Sequence, residues 1–574
     1  MKKRILNILA ALCLLPGGRE DALPIQLCTF APRIVKELIV DDGEKAVGHY
    51  LIGGTDPKGE EITPVDVPAN ELEKMRWIAD NLDASCDLCI VPQVEKHVRC
   101  AIKSTARFAE KQYIFSHTGW KQIGGEWQYL LPGNENYTVE LKGKQKRYYG
   151  TNQCTSDDVN VLTRLLDSGI MPDEVLLPCL ALVFLSPTNE FLRECGHEPK
   201  FLLTLIGRTG SMKSTVAALM LSFFGQFSAT DLPMSFRDTA NSIIHNAFAL
   251  KDVLTCVDDY HPTAKSEASR MQATMQILAR SYGDRAARNR LTSDITLREP
   301  KPPQGNVIVT AEFAPDIGES GTARLFCIEM KPGSVNLPLL TEAQDNAQNG
   351  CFVNCMGAFI RYLKKAYLKT EDFPERLNCT FTKCRDEWLS ILKEHHIPFH
   401  SRLPDTLSCL EIGFLLLTLF LYAVEEIDEE KKQALSQRFR DVLTVLAAKQ
   451  SESVEADRPT HIFVRKLCSL IECGKVSVLP ANGKNETSAK NYIGYEDENY
   501  YYLMLDVSHK AVKQLCCEQD EGFAISAKSL AKALADEELI ETKDGMNTQP
   551  IRFGGKLKRV MLLNKRKANK LVSI

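Results

Sequence analysis

A glycine-containing turn between an apolar strand and an apolar helix has the residue types of a phosphate-binding loop. It fits the pattern G-x-x-x-x-G-K-[ST] at every position except that of the second glycine, and its residues are Gly207, Arg208, Thr209, Gly210, Ser211, Met212, Lys213, Ser214 and Thr215. Backbone N–H groups of such a loop, with the amino end of the next helix, bind the β- and γ-phosphates of a nucleotide. We therefore predict ATP as the ligand, with Lys213 neutralising the phosphates and the Ser214 hydroxyl holding Mg²⁺.

The departure from the pattern is Met212, which stands where the second glycine belongs. A side chain at that position narrows the backbone conformations open to the loop, and Gly210 is expected to supply the missing freedom. A glycine turn without a ligand is the alternative interpretation. The flanking strand and helix favour nucleotide binding.

A second apolar strand, Val253 to Val257, ends in two carboxylates, Asp258 and Asp259. The carboxyl ends of parallel strands lie beside the phosphate loop, so these acids are expected next to the nucleotide. We predict that Asp258 assists Mg²⁺ coordination and that Asp259 polarises the attacking water, although the two roles could be exchanged. The alternative is a solvated acidic strand end.

Two further residues complete the predicted catalytic set. In the sheet of AAA+ ATPases, the strand between the Mg²⁺ strand and the phosphate-loop strand carries a polar sensor of the γ-phosphate, and Thr310 ends a suitable strand. An ordinary strand-terminal threonine is the alternative. Arg324 precedes the next apolar strand and is a candidate finger that stabilises charge on a neighbouring subunit's γ-phosphate, which requires a ring. The competing arginines, which could equally face DNA or solvent, are Arg280, Arg285, Arg288 and Arg290.

The carboxyl-terminal region supplies a local basic surface. Ser526 is a suitable N-cap for a helix through Ala535, and turn residues near Gly554 predict a hairpin, so the region fits a winged-helix domain. From Ile551 to Ile574 the sequence contains eight lysine or arginine residues and no acid. A solvated basic tail is the alternative to DNA binding. The residues predicted to contact nucleic-acid phosphates are Lys528, Lys532, Arg552, Lys556, Lys558 and Arg559.

The elements that position these residues alternate between strand and helix, which predicts an α/β fold with a parallel sheet covered on both faces. The predicted core is preceded by a small α+β domain and followed by helices, and residues 451–458 form a candidate polar linker. The predicted divisions are an N-terminal, possibly helical segment (1–37), the α+β domain (38–153), the P-loop AAA+ core (154–340), a helical region (341–450) and a winged-helix-like domain (459–574).

The composition limits the class of protein. The 574 residues contain 44% hydrophobic residues and carry a formal net charge of −4, so the chain should fold as several globular domains with only local basic patches. Its 19 cysteines are irregularly spaced, which favours buried thiols over disulfides. Cys86, Cys89 and Cys100 are an incomplete zinc pattern.

Two apolar segments bear on where in the cell the protein is located. Met1 to Gly18 imitates a secretory signal but lacks a convincing cleavage site, so we expect a helix or a mis-assigned start there. The run from Ile412 to Val424 is too short to cross a bilayer as a helix and is predicted to be a core helix. We therefore expect a cytoplasmic protein that does not enter a membrane.

These features together resemble the helicase-like proteins of bacterial mobile elements known as domain of unknown function 927, whose ATPase core is similar to that of the MCM replicative helicases. The resemblance spans roughly Leu38 to Met330. It rests on Gly119-Trp120 with the strand that follows to Pro132, the phosphate loop, the run from Val257 to Pro262 and the stretch from Ser320 to Phe326. By similarity to the MCM pattern Arg324 becomes the preferred finger, although three residues separate it from Ser320, where the MCM pattern has serine and arginine adjacent.

The resemblance implies an AAA+ core that uses ATP and Mg²⁺, assembles as a homo-oligomeric ring, and unwinds DNA or initiates replication of a mobile element or prophage. Single-stranded or forked DNA would then be the partner. Two other hypotheses remain. One is a nucleotide-dependent switch or assembly ATPase without unwinding activity. The other is a DNA-binding module with a decayed ATPase core.

Overall fold

The computed structural model describes residues 5–8, 11–14, 25–133, 137–287, 290–291, 297–298, 300–369, 372–482, 491–519, 521–543 and 545–572. The first of these residues form a small antiparallel sheet of β1 (Ile5–Ile8), β2 (Ala11–Leu14) and β3 (Ile25–Gln26). They do not form the helix expected from their apolar run. Their backbone groups pair between strands, with Ile5 opposite Leu14. The rest of the signal-like segment lies outside the described residues.

The α+β region is built on a five-stranded sheet with the order β10-β7-β4-β5-β6. In β4 the residue Ile34 faces a core that also contains Val98 and Ile102, and Leu38 of the same strand is buried as well. This sheet includes residues before the predicted boundary at 38. The elements of the region are β4 (Ala31–Asp41), β5 (Ala46–Thr55), β6 (Glu61–Pro68), α1 (Ala69–Leu72), α2 (Trp77–Asn81), α3 (Val94–Thr105), β7 (Glu110–Phe115), β8 (Gly119–Ile123), β9 (Glu126–Leu130) and β10 (Thr138–Val139).

The hairpin of β8 and β9 docks against the next part of the chain. Gly119 has φ +89°, and a Cβ there would come within 2.6 Å of the Lys251 carbonyl oxygen, so only glycine allows this approach. The Trp120 backbone N–H donates to Asp252 Oδ2 at 3.0 Å, and its indole donates to the Pro187 carbonyl at 2.7 Å. Trp120 is fully buried.

The central sheet is parallel throughout, as predicted, with the strand order β12-β13-β16-β11-β17. One face packs on α8 and α9 through residues such as Val309, and the other packs on α5 and α7 through residues such as Leu203. A short hairpin, β14 with β15, lies between α9 and β16. The elements are α4 (Ser156–Asp167), α5 (Asp173–Leu185), α6 (Asn189–Glu194), β11 (Leu202–Ile206), α7 (Lys213–Leu221), β12 (Met234–Ser235), α8 (Ala240–Ala249), β13 (Leu254–Tyr260), α9 (Lys265–Gly283), β14 (Arg290–Leu291), β15 (Leu297–Arg298), β16 (Asn306–Ala311), α10 (Glu319–Thr322) and β17 (Leu325–Glu329).

The described residues that follow form five helices, in keeping with the helical region predicted for this part of the chain: α11 (Leu337–Gln348), α12 (Cys351–Lys369), α13 (Phe373–Glu394), α14 (Leu403–Ala423) and α15 (Glu429–Ala456). The predicted linker at 451–458 is wrong, because α15 continues through most of it. Ser451 and Val454 are buried there, and Gln450 donates to the carbonyl oxygens of Thr322 and Leu325. The segment is polar in composition, but these contacts pack it against the core as part of a helix.

Among the described residues, two helical segments are long and apolar enough to cross a membrane by length and composition alone, Asp173–Glu194 and Leu403–Ala423. The second is longer than the apolar run that the sequence indicated. Within the protein, however, 94% of the first apolar stretch and 72% of the second are buried. A Cβ at Gly413 would lie 2.1 Å from the Ala181 carbonyl oxygen, so α14 and α5 pack in close contact. Both segments therefore have the burial of core helices.

The carboxyl-terminal region has its own core and a six-stranded sheet with the path β18-β19-β20-β23-β21, to which β22 adds by pairing with β23. The expected helix and hairpin are present as α18 and β22–β23, but the hairpin belongs to this larger sheet. The elements are α16 (Pro459–Glu472), β18 (Ser477–Pro480), β19 (Tyr492–Glu496), β20 (Tyr500–Leu503), α17 (Leu505–Glu518), α18 (Ala527–Asp536), β21 (Ile540–Glu541), β22 (Gln549–Phe553), β23 (Lys556–Asn564) and α19 (Lys565–Val572).

Candidate functional site

The predicted phosphate loop follows β11 at the carboxyl edge of the central sheet, and α7 begins at Lys213. A Cβ at Gly207 would lie 2.2 Å from the Met330 carbonyl oxygen, so this position requires glycine. Gly210 has φ +86°, in the left-handed region that glycine adopts most easily, as expected for the flexible position of the loop. Met212 also has a left-handed backbone, with φ +66°, and a methionine is strained there.

The ammonium group of Lys213 lies over the loop. Its Nζ donates to the carbonyl oxygens of Gly207 at 2.5 Å and Arg208 at 3.2 Å. Partial burial lowers the pKa of Lys213, while the carboxylates Asp258 and Asp259 oppose that shift. The lysine is therefore held at the mouth of the loop, beside both acids.

Three polar side chains from separate elements meet at one carboxylate oxygen. Asp258 Oδ1 accepts from the Ser214 hydroxyl at 2.8 Å and from the Thr310 hydroxyl at 2.6 Å. The strand of Thr310 lies between the strands of the loop and of Asp258, which confirms its predicted place in the sheet. A hydroxyl and a carboxylate oxygen this close are hard ligands that fit Mg²⁺, with Ser214 and Asp258 as the candidate pair.

Both acids of β13 lie within a β-bulge, because the register with β16 shifts between Val257 and Tyr260. Asp259 adopts φ +70°, and its backbone N–H donates to Thr310 Oγ1 at 3.0 Å. Its carboxylate forms an ion pair with Arg237 at 3.2 Å. Bulges re-aim side chains at strand ends, and this one sends the two carboxylates in different directions.

Sequence reasoning assigned no role to Glu312 or His261, yet both lie in the site. Glu312 Oε1 accepts from the backbone N–H of Thr209 at 3.2 Å and from its hydroxyl at 3.0 Å. The other oxygen of Glu312 contacts the His261 imidazole. They line a cavity of about 280 Å³ together with loop residues that include Thr215. The sequence did contain one indication of this position. Glu312 follows Thr310 by two residues, and residues two apart in a strand point to the same face of the sheet.

Arg324 lies at the amino edge of the same sheet, because it precedes β17 and its carbonyl accepts from the Leu202 N–H. Its guanidinium donates to both carboxylate oxygens of Asp284 at 3.0 Å and to the Ser320 hydroxyl at 2.7 Å. Gly283 leaves room for its aliphatic stem. A five-residue strand spans roughly 17 Å. Arg324 and the loop lie at opposite ends of neighbouring strands, so about one strand length separates them.

The competing arginines are placed differently. Arg285 is buried and donates to the carbonyl oxygens of Pro199 at 2.7 Å, Pro303 at 3.1 Å and Gly305 at 2.7 Å, so it joins loops inside the core. Arg280 is exposed on α9. Arg288 and the side chain of Arg290 lie outside the described residues.

The basic residues of the carboxyl-terminal region occupy two elements. Lys528 and Lys532 are exposed on one face of α18, opposite the buried Leu530 and Leu534. On the hairpin, Arg552 faces Leu557 across the strands, while Lys556 and Lys558 alternate with Leu557 and Arg559 along β23. Both faces of the hairpin are therefore basic. Leu557, which lies between Lys556 and Lys558 in the sequence, is 64% exposed.

The described residues contain no group of three or more His, Cys, Asp or Glu side chains arranged to hold a metal ion. In the incomplete zinc pattern, Cys86 is buried and Cys100 is exposed. Of the 18 cysteines whose side chains are described, nine are buried, five are partly buried and four are exposed, so the expectation of buried thiols holds for half of them.

Comparison with known proteins gives the fold. No protein-family model and no curated protein matches the chain. The solved structure of the active helicase Cch of SCCmec type IV matches 99% of this chain and 99% of its own length, with a TM-score of 0.58 and 15% sequence identity. The chain therefore shares a helicase-like fold along its whole length. The resemblance to domain of unknown function 927 and to MCM proteins stays a prediction.

Two other solved structures match less of the chain. The C-terminal region of NrS-1 matches 65% of this chain and 84% of its own length, at 12% identity and a TM-score of 0.21. The JCV helicase matches 39% and 70%, at 15% identity and a TM-score of 0.19. At these TM-scores neither match establishes a shared overall fold.

Proposed function

We propose that this chain is an ATP-hydrolysing AAA+ motor that acts on DNA, as a helicase or replication initiator of a bacterial mobile element or prophage in the cytoplasm. The observation that carries the proposal is the meeting of Ser214, Asp258 and Thr310 beside the phosphate loop, with the Thr310 strand between the other two strands. The fold shared with a solved helicase supports it.

In the proposed reaction, loop N–H groups and Lys213 hold the β- and γ-phosphates of ATP. Bound Mg²⁺ would neutralise charge on those phosphates, and Ser214 with Asp258 would hold it. Asp259 orients the attacking water, and Thr310 links this acid to Asp258 through their shared hydrogen bonds. The Arg237 ion pair of Asp259 must open for that role.

Arg324 is proposed to act on the ATP of a neighbouring subunit. Its position at the amino edge of the sheet excludes contact with the loop of its own chain. A homo-oligomeric ring would bring this edge to the next subunit's site, and the Asp284 pair would have to yield.

DNA, single-stranded or forked, is proposed to bind the basic carboxyl-terminal surface. Phosphate contacts of this kind weaken steeply with salt. The helix α18 offers Lys528 and Lys532, while the hairpin offers basic residues on both faces and so could follow a strand on either side.

The test is steady-state ATP turnover with and without single-stranded DNA, for the wild type and Lys213→Ala. Turnover that DNA stimulates and that Lys213→Ala abolishes is the expected result. A matched control is Lys200→Ala, because Lys200 is an exposed lysine at the amino edge. Absence of turnover in the wild type, with and without DNA, would reject the motor.

The trans role of Arg324 is tested by mixing inactive Lys213→Ala and Arg324→Ala chains. If each site combines a loop from one subunit with an arginine from the next, mixed rings regain part of the turnover that neither variant has alone. No recovery in rings shown to be mixed would reject the shared site.

A nucleotide-dependent switch is the second candidate, and two observations favour it. Met212 strains the backbone of the phosphate loop. The Thr209 N–H of that loop donates to the Glu312 carboxylate, so this donor is already engaged without a phosphate. Nucleotide binding that changes partners without DNA-stimulated turnover would support this candidate. Salt-sensitive DNA binding with no nucleotide binding would instead support a DNA-binding module with a decayed core.

A further inference from the structure

Three cysteine thiols lie where the start of α4 meets α12, apart from the nucleotide site. Cys154 precedes Thr155, the capping residue of α4, while Cys351 and Cys355 lie on successive turns of α12. The Cys355 thiol donates to the Asp158 carbonyl oxygen at 3.0 Å. The Cys154 thiol donates to the Thr155 carbonyl oxygen at 3.6 Å, and the Cys355 thiol is near enough to lower the pKa of Cys154. Burial and the Asp158 carboxylate raise the pKa of Cys351.

We propose that Cys154 and Cys355 are a peroxide-sensitive modification site that forms a reversible disulfide between the start of α4 and α12. A disulfide requires close approach of two thiols on a backbone that needs little movement. Here the backbone is already fixed, because Asp158 caps α4 through Thr155 N–H at 2.8 Å and accepts from the Asn354 amide of α12 at 3.3 Å.

The two cysteines have different access to an oxidant. Cys154 is half-buried at the surface, and Cys355 is buried behind it. The Cys355 thiol lowers the pKa of Cys154 and the nearby Arg361 acts in the same direction, against the opposing effects of burial and the Asp158 carboxylate. The amino end of α4 also favours a thiolate. Cys154 is therefore the thiol that reacts first, and Cys355 is placed to react with the product.

The reaction balances with hydrogen peroxide as the oxidant. The Cys154 thiolate attacks one peroxide oxygen, the O–O bond breaks, and the released hydroxide takes up the proton that the thiol had lost, which gives water and a sulfenic acid. The Cys355 sulfur then attacks the Cys154 sulfur, the S–O bond breaks, and the leaving hydroxide takes the Cys355 proton as a second water. The two thiols are oxidised by two electrons, and the peroxide is reduced by two.

The disulfide would close a long loop of the chain, which restricts the unfolded state. It would also lock the helical region close to the nucleotide core, because Phe352 of α12 packs on Phe223 behind α7 with ring centroids 4.8 Å apart. The proposal does not depend on ATP turnover.

The test treats the full chain with hydrogen peroxide, blocks free thiols, and maps linked peptides before and after reduction. We expect a peptide pair joined through Cys154 and Cys355, and a rise in melting temperature that a dithiol reductant reverses. Cys154→Ser should abolish both effects. Cys351→Ser, which removes the neighbouring thiol, should leave both unchanged.

Two results would overturn the proposal. One is Cys154 recovered as an unlinked sulfenic or sulfinic acid while Cys355 stays reduced. The other is peroxide-induced linkage confined to the exposed cysteines Cys100, Cys379, Cys473 and Cys517. Cys154→Ser carries the test because this residue is partly exposed, whereas replacing the buried Cys355 could impair folding.

Discussion

The two edges of the central sheet carry similar charged residues in opposite situations. At the carboxyl edge, Asp258 is half-exposed and bonded to the hydroxyls of Ser214 and Thr310, beside an open cavity. At the amino edge, Asp252 is completely buried, and Arg193 and Lys251 lie 3.7 Å from its oxygens. Position relative to the sheet, and not residue type, therefore decides whether an acid faces an open cavity or is buried in the fold.

Replacing Asp258 by asparagine should give the largest effect. Loss of the carboxylate charge beside the loop should lower ATP turnover about a thousandfold, roughly 4 kcal/mol of barrier, without lowering the unfolding free energy. Turnover and thermal unfolding measured on the same samples check both parts. The exposed Asp80→Asn is the control.

The companion Asp259→Asn separates the two acids. If Asp258 holds Mg²⁺ and Asp259 orients water, then Asp258→Asn should weaken Mg²⁺-dependent nucleotide binding, whereas Asp259→Asn should keep binding and lose turnover. The opposite pattern would exchange the two roles.

The amino edge should respond in stability instead. Asp252→Ala removes the acceptor of the Trp120 N–H and leaves Arg193 and Lys251 short of one negative partner. Removing one member of a buried charged group typically lowers the unfolding free energy by about 3 to 5 kcal/mol. Chemical denaturation measures this, with Asp252→Asn as the control that keeps an acceptor. Equal unfolding free energies for wild type and Asp252→Ala would contradict the structural role.

The residues at each edge of the sheet can be predicted from the sequence only where their contacts are local in the chain. The phosphate loop, the acidic strand and Thr310 could be predicted because each is a short segment with its own pattern, and parallel strands gather their carboxyl ends. The contacts of Glu312 with Thr209 and His261 could not, because they join separate segments.

The failures have the same origin. Residues around Ser451 look like a polar linker by composition. They remain helical because Gln450 bonds to Leu325, more than a hundred positions away in the chain. The role of Asp252 was likewise invisible, since Gly119 and Trp120 approach it from another region.

A third prediction concerns pH. Burial raises the pKa of Asp252 to about 6, against the opposing effect of Lys251 and Arg193. The folded state then binds this proton more tightly than the unfolded chain, so the part of the stability that comes from protonation of Asp252 is present at low pH and is lost as pH rises from about 4 to about 6. The contacts that Asp252→Ala removes are a separate contribution. A shift of this size corresponds to about 3 kcal/mol.

Asp252→Asn cannot titrate and tests this directly. Its unfolding free energy relative to wild type should increase across the window from pH 4 to pH 6, as measured by denaturation at each pH. A constant difference between the two proteins over that window would show that Asp252 is ionised throughout in the folded state.

At the carboxyl edge, a change at Met212 should have only a small effect on stability. Met212 has φ +66°, a conformation that disfavours a side chain by about 1 to 2 kcal/mol. Met212→Gly relieves that strain, but glycine also makes the unfolded chain more flexible, which offsets part of the gain. The unfolding free energy should therefore change by less than about 1 kcal/mol, while ATP binding is retained or strengthened. Met212→Ala keeps the strain and is the matched control. If Met212→Gly instead abolished ATP binding, the methionine side chain would be part of the nucleotide site and not merely tolerated in the loop.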